Sequence, residues 1–164
     1  MKALSIRQPW AYMIIYGIPY GVEVKNPDDS SRIEDSGKVI LKNCENRDWA
    51  LPRGFELPQK IYVHVGKKKA PMEEVLDLFH KLELPFFSAI MMYSNLLPSR
   101  AIIGEITITE QVIKSENPWF TGKYGFLLAE PKPYEIPIPC KGRLGFFEPE
   151  FPEKVSNAQV IQID

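Results

Sequence analysis

A lysine, a glutamate and an arginine stand close together at Lys42, Glu45 and Arg47, inside the segment KNCENRDW. An ammonium, a carboxylate and a guanidinium that converge can fix one another, grip the edge of a nucleobase, or move a proton. Whether they converge depends on local geometry. If residues 38–45 are extended, Lys42, Cys44 and Asn46 share one face, and Glu45 and Arg47 share the other. Lys42 then reaches Glu45 only through a bulge or turn after Cys44. Glu45 and Arg47, two apart, lie side by side; the plainest reading is a surface ion pair worth about 0–1 kcal/mol. Trp49 and Arg53 nearby add the character of a binding edge.

Three more clusters carry chemical potential. In SIRQPW, Ser5, Arg7, Gln8, Pro9 and Trp10 sit at a helix start, whose free N–H groups and dipole favour an anionic or hydrogen-bonding ligand. The alternative is an ordinary helix start with Trp10 in the core. In VHVGKKK, Gly66 permits close backbone approach and Lys67 leads a run that can meet phosphate or simply be solvated. His64 reads onto the polar face of that strand, as an acid/base group or a hydrogen-bonded bystander. In SENPWFTGKYGF and PCKGRLGFF, Trp119, Phe120 and Tyr124 interleave with Lys123, Lys141 and Arg143. Aromatic faces beside cations hold unstacked bases at about 1–3 kcal/mol each. The same aromatics also serve as core plugs.

The elements that must position these groups are short. Residues 3–6 start a strand, and Pro9 is placed at the first position of a helix that Gly17 stops. The polar, acidic stretch around NPDDSS, residues 18–37, reads as an exposed, mobile inserted loop. Strands are expected at 38–44, 60–66, 101–113 and 142–147, with a hairpin over 124–138 turned at Pro131-Lys132-Pro133. Residues 71–82 form an amphipathic helix with Val75, Leu78, Phe79 and Leu82 inward, and 85–95 a second helix.

Composition narrows the class. The 164 residues are 45% apolar and 12% aromatic, enough for the core of one ordinary domain. Twenty Lys and Arg against 21 Asp and Glu exclude a histone-like surface but leave room for a local basic cleft. The 15 prolines imply many short elements with tight corners. Cys44 and Cys140, without C-x-x-C and with only two histidines, give no disulfide framework and no zinc site; no metal or cofactor is expected. Arg7, Gln8 and Pro9 interrupt any leader-like run, and the apolar stretch at 10–16 falls short of the ~20 residues of a membrane span. A soluble, cytoplasmic protein with no membrane contact is the expectation. GxSxG, HExxH, GxxxxGK[ST] and GxGxxG are absent from the sequence, so serine-hydrolase, zincin, P-loop and dinucleotide readings lack their usual support.

Seven pieces, in order from Ser5 to Phe147, carry a resemblance: SIRQPWA, K-x-x-E-x-R at 42–47, Arg53-Gly54, HVGK at 64–67, IIGEI at 102–106, PWF-x-G-x-YGF at 118–126 and P-x-KG-x-LGFF at 139–147. Together they resemble the ASCH domain family, named for activating signal cointegrator homology, which is PUA-like. The resemblance implies an α+β domain over residues 1–150, followed by a tail at 151–164. Its fold would be a small PUA-like β-barrel of five to six mostly antiparallel strands with two or three peripheral helices. It also implies a cleft lined by Lys42, Glu45 and Arg47, with SIRQPW and Lys67 close by. RNA or nucleic-acid binding is the usual proposal for such domains, and some relatives are amidohydrolases acting on acylated cytidine, or ribonucleases. Two departures stand out. The family lysine follows the first helix within a few residues, whereas 24 residues separate Gly17 from Lys42 here. The amidohydrolase relatives also carry a threonine where this chain has Glu45, which leaves Thr121 or Ser115 as candidate hydroxyls.

Two functions follow. As a binding module for RNA or a modified nucleoside, Arg7, Lys67 and Lys141 would meet phosphate, and Trp10, Trp49 or Trp119 would stack on a base. Glu45 would accept from an exocyclic amine while Arg47 orients it. As a small hydrolase, Lys42 would act as a base beside Glu45, with His64 as an alternative proton carrier. A protein-interaction surface on residues 71–95 is the third reading.

Overall fold

The computed structural model describes residues 1–84 and 97–152. In chain order the elements are β1 (Ala3–Gln8), α1 (Trp10–Ile15), β2 (Ile18–Lys25), β3 (Ser31–Ile40), β4 (Cys44–Arg47) and β5 (Gln59–Lys69), then α2 (Met72–Lys81), β6 (Ala101–Val112), β7 (Tyr124–Pro139) and β8 (Phe146–Phe147). It is a mostly-strand α+β fold. Six strands form one curled, half-barrel sheet in the order β4-β7-β6-β5-β1-β8. Neighbours are antiparallel except β1 and β5, which run parallel with Ser5 opposite His64. Among the described residues no helix is long and apolar enough to cross a membrane. The helix expected at 85–95 lies outside the described residues.

The alternation at Ile61, Val63 and Val65 builds β5 as expected, all three fully buried. β6 is buried along both faces from Ala101 to Ile108, because β5 and β7 flank it and separate apolar clusters cover its two sides. Helix α1 is not peripheral. Trp10, Ala11, Met13, Ile14 and Ile15 are buried, and the helix lies against β1, β5, β6 and β7. It ends where expected: Gly17 adopts φ +78, and a Cβ there would stand 2.1 Å from Val39 Cγ1. In α2, Val75 and Phe79 are buried as expected, and Leu78 and Leu82 are partly buried against the same core. Glu73 and Glu74 in its first turn and His80 and Lys81 in its last complement the helix dipole.

Four expectations about the strands and loops are corrected. Residues 18–37 are not a loop but most of a hairpin, in which β2 pairs antiparallel with β3 from Ile18–Ile40 to Lys25–Ser31. Only the expected polar tip turns, where Asp28 Oδ1 accepts from the Ser30 amide and hydroxyl and Asp29 takes φ 69. The strand expected at 38–44 is broken, since β3 ends at Ile40 and β4 begins at Cys44. Residues 124–139 are one long strand without a turn at Pro131. β7 passes Pro131 and Pro133 through irregular pairing with β6, helped by Glu130 at φ 55. Gly104 makes that approach possible, because a Cβ would stand 2.4 Å from the Lys132 carbonyl oxygen and 3.0 Å from Ile15 Cγ2. The last strand is also shorter than expected, only Phe146 and Phe147.

Candidate functional site

The gap between β3 and β4 is what brings the charged residues together. The Lys42 amide donates to the Met13 carbonyl at 3.0 Å, pinning the segment to the end of α1. The bend falls before Cys44 rather than after it. From there the Lys42 side chain curls back, and its Nζ donates to the Cys44 carbonyl and, at 3.2 Å, to Glu45 Oε2. The other oxygen, Glu45 Oε1, meets Arg47 Nη2 at 3.0 Å, and Nη2 also donates to the Ser5 carbonyl at 2.8 Å. Lys42 is 3% exposed and Glu45 6%, so this is no surface pair. One carboxylate is shared by two cations, and the network ties β4 to β1. Arg47 Nε is buried and has no hydrogen-bond partner among the described residues. Charged groups this dry hold their geometry only when their partners stay in place.

This network lines a cleft of about 790 Å³, within the usual range of ligand pockets. Trp10 and Trp49 also line it. Lys42 Nζ stands 6.0 Å from the Trp10 ring and the Arg47 guanidinium 5.5 Å from the Trp49 ring, so a cation stands over each indole, and the one at Trp49 is planar. Trp49 is held edge-on by Phe126 and Phe146 at 5.6 and 5.8 Å. Lys67 and Lys68 at the end of β5, Lys81 of α2 and Lys123 also border the cleft. Seven cationic side chains line it against four acidic ones, in a chain whose net charge is −1. None of those four lysines makes an ion pair among the described residues.

Of the residues singled out by sequence, Ser5, Arg7, Trp10, Lys42, Glu45, Arg47, Trp49 and Lys67 meet in this cleft. Arg7 is already engaged: its Nη2 donates to both oxygens of Glu74 on α2, at 2.9 and 3.2 Å, and Trp10 Nε1 donates to the same carboxylate. Gly66, Thr121 and Lys123, also named from the sequence, line it as well, whereas the remaining expected residues do not. Gln8 is buried as a structural link, its Oε1 accepting the Tyr12 amide and its Nε2 donating to the Pro98 carbonyl. The helix end is therefore occupied internally, and Pro9 caps α1 rather than opening it. Trp119 is a core plug at 4% exposure, and Tyr124 packs against the same core beneath Lys123. Arg53 and Lys141 are exposed elsewhere, and Ser115 bonds the Asn117 amide.

His64 is a correction too. It is 1% exposed, not on a polar face. Its Nε2 donates to the Cys140 carbonyl at 2.9 Å, which leaves Nδ1 to accept the Ser5 hydroxyl at 2.9 Å. Burial pushes its pKa below the ordinary histidine value, so it is a neutral strut. Burial also pushes the Cys44 thiol up, against the pull of Lys42, so it stays protonated beside the network. No group of three or more His, Cys, Asp or Glu side chains among the described residues could hold a metal ion.

Sequence reasoning passed over Asn46, Glu74, Asp77 and Lys81, which all line the cleft. For α2, the signal was present in the polar face of an amphipathic helix, but nothing local says which neighbour that face meets. The chain matches no model of a known protein family, and no match to it is found among curated proteins.

Proposed function

We propose that this cleft binds a nucleobase, in RNA or in a modified nucleoside, and that the domain is a PUA-like member of the ASCH group. The observation that carries the reading is the paired chemistry of Glu45 and Arg47. Glu45 is a buried acceptor fixed from both sides, and beside it Arg47 Nε is a buried donor without a partner among the described residues. A base edge that places an exocyclic amine next to a ring nitrogen or carbonyl is complementary to that pair. The Arg47–Trp49 layer offers a flat cationic face for the ring, and the unpaired lysines suit a phosphate.

A second reading, hydrolysis of a nucleobase amide or an RNA backbone, is favoured by one specific contact: an ammonium and a carboxylate 3.2 Å apart in a ligand-sized cleft. Against it, Lys42 is placed as a donor to two acceptors and His64 lies outside the cleft. Modified nucleosides and short RNAs, assayed for both binding and product, separate the two. Binding without product, abolished in Glu45→Ala, supports the first. Turnover abolished in Lys42→Ala supports the second, and turnover that survives that change removes lysine from the chemistry.

A further inference from the structure

Between the two residues that would read the base stands Asn46, and its side chain does something different. Its Nδ2 donates to the Trp119 carbonyl at 2.8 Å, and its Oδ1 accepts the Thr121 and Gly122 amides at 2.8 and 3.1 Å. Residues 115–123 have no strand or helix to shape them. Side-chain bonds shape them instead, from Asn46 and from Asn117, which reaches Asn43 at 2.9 Å and holds the Trp119 amide. Gly122 is fitted to the contact, since a Cβ there would stand 3.0 Å from Asn46 Cβ. Thr121, Gly122 and Lys123 then form one rim of the cleft. Lys123 makes no ion pair among the described residues and projects over the Tyr124 ring at 5.5 Å.

We propose that Asn46 is a positioning residue that sets the distance between the Glu45–Arg47 base reader on β4 and a phosphate-facing rim at Lys123, so that the cleft takes phosphorylated nucleotide units in preference to free nucleosides. This rests on the nucleobase reading for the base half alone. The anion half rests on the lysines of the rim and of the β5 end. Asn46 acts through the rim, so its loss and the loss of Lys123 are one loss.

The four ribonucleosides, their 5′-monophosphates and inorganic pyrophosphate are titrated into the whole protein at several salt concentrations. The 5′-phosphate is expected to raise affinity by about tenfold or more, the size of one charge-assisted contact. Lys123→Ala and Asn46→Ala each remove that gain, the double variant removes no more than either alone, and for a short single-stranded RNA the slope of log K against log salt becomes shallower by about 0.7. Gly122→Ala, which crowds Asn46 from the rim and leaves every side chain of β4 in place, gives the same loss and covers the case that Asn46→Ala does not fold. Nucleosides binding as tightly as monophosphates, or additive losses from Asn46→Ala and Lys123→Ala, overturn the proposal while leaving the base reading intact. Pyrophosphate binding that depends on Asn46 and Lys123, with no preference for any base-bearing ligand over it, supports the rim and rejects the base reading. Absence of binding by every probe rejects both.

Discussion

Replacing Glu45 with Gln keeps the shape of the side chain and removes the one negative charge that two cations share. Lys42 Nζ lies 3.2 Å from one oxygen and Arg47 Nη2 3.0 Å from the other, with side-chain exposures of 3% and 19% for the two cations. Removing one partner of a buried ion pair costs about 3–5 kcal/mol, because the remaining charge is left dry and uncompensated. The glutamine oxygen still accepts from one of the two cations, but its amide NH2 then faces the other, which keeps only a backbone carbonyl, Cys44 for Lys42 or Ser5 for Arg47. Arg47 is partly wet, so its share is discounted, and the expected loss is about 3–4 kcal/mol. Lys42→Met is milder, about 1–2 kcal/mol, since Glu45 keeps Arg47 and a methionine fills the same volume. The double variant Lys42→Met/Glu45→Gln should be more stable than Glu45→Gln alone, because the deepest orphaned charge is gone. Urea unfolding followed by tryptophan fluorescence reads all three, and a 3–4 kcal/mol loss lowers the midpoint by about 1–4 M at m-values of about 1–3 kcal/mol per M. A Glu45→Gln loss below about 1 kcal/mol would mean a hydrated surface pair and would refute the reasoning.

Gly142→Ala places a methyl 2.3 Å from His64 Cε1 and 2.9 Å from Ser5 Oγ, so it should destabilise the fold by about 1–3 kcal/mol in the same unfolding assay. His64 is neutral in the fold with its pKa lowered by burial, whereas the unfolded chain takes up that proton near pH ~6.5. Its contribution is therefore complete above that pH and lost as pH falls toward the folded value, at no more than about 1.4 kcal/mol per unit. The stability difference between wild type and His64→Gln should shrink over that acid window and stay flat above pH 7. Binding of a short single-stranded RNA should show a salt slope near −3, about 0.7 for each of the four unpaired cleft lysines, and a slope steeper than about −5 would contradict so small a footprint.

Much of the site was legible because its core is local. Lys42, Glu45 and Arg47 are neighbours in sequence, and a single bend suffices to join them; only the position of that bend, before Cys44, needed the Met13 carbonyl to fix it. Other features answer to distant partners. The β2–β3 hairpin reads as polar loop because its sequence is polar and acidic around NPDDSS, while the pairing that makes it a hairpin joins two strands. Pro131 and Pro133 read as a turn because proline usually ends strands, while here the irregular β6–β7 pairing and Gly104 accommodate them. His64 reads as polar because nothing near it in sequence announces the Cys140 carbonyl or the Ser5 hydroxyl. Trp119 and Trp49 have the same chemistry, and only packing separates the core plug from the cleft wall.

Amide chemical shifts followed while a short single-stranded RNA is titrated in test the base-binding cleft most directly. Perturbations concentrated at residues 5–7, 10, 42–49, 66–68 and 121–123, and lost in Trp49→Ala, are the expected result. Shifts confined to the β2–β3 hairpin or to the exposed Arg53 and Lys141, with residues 42–49 silent at saturation, would contradict it.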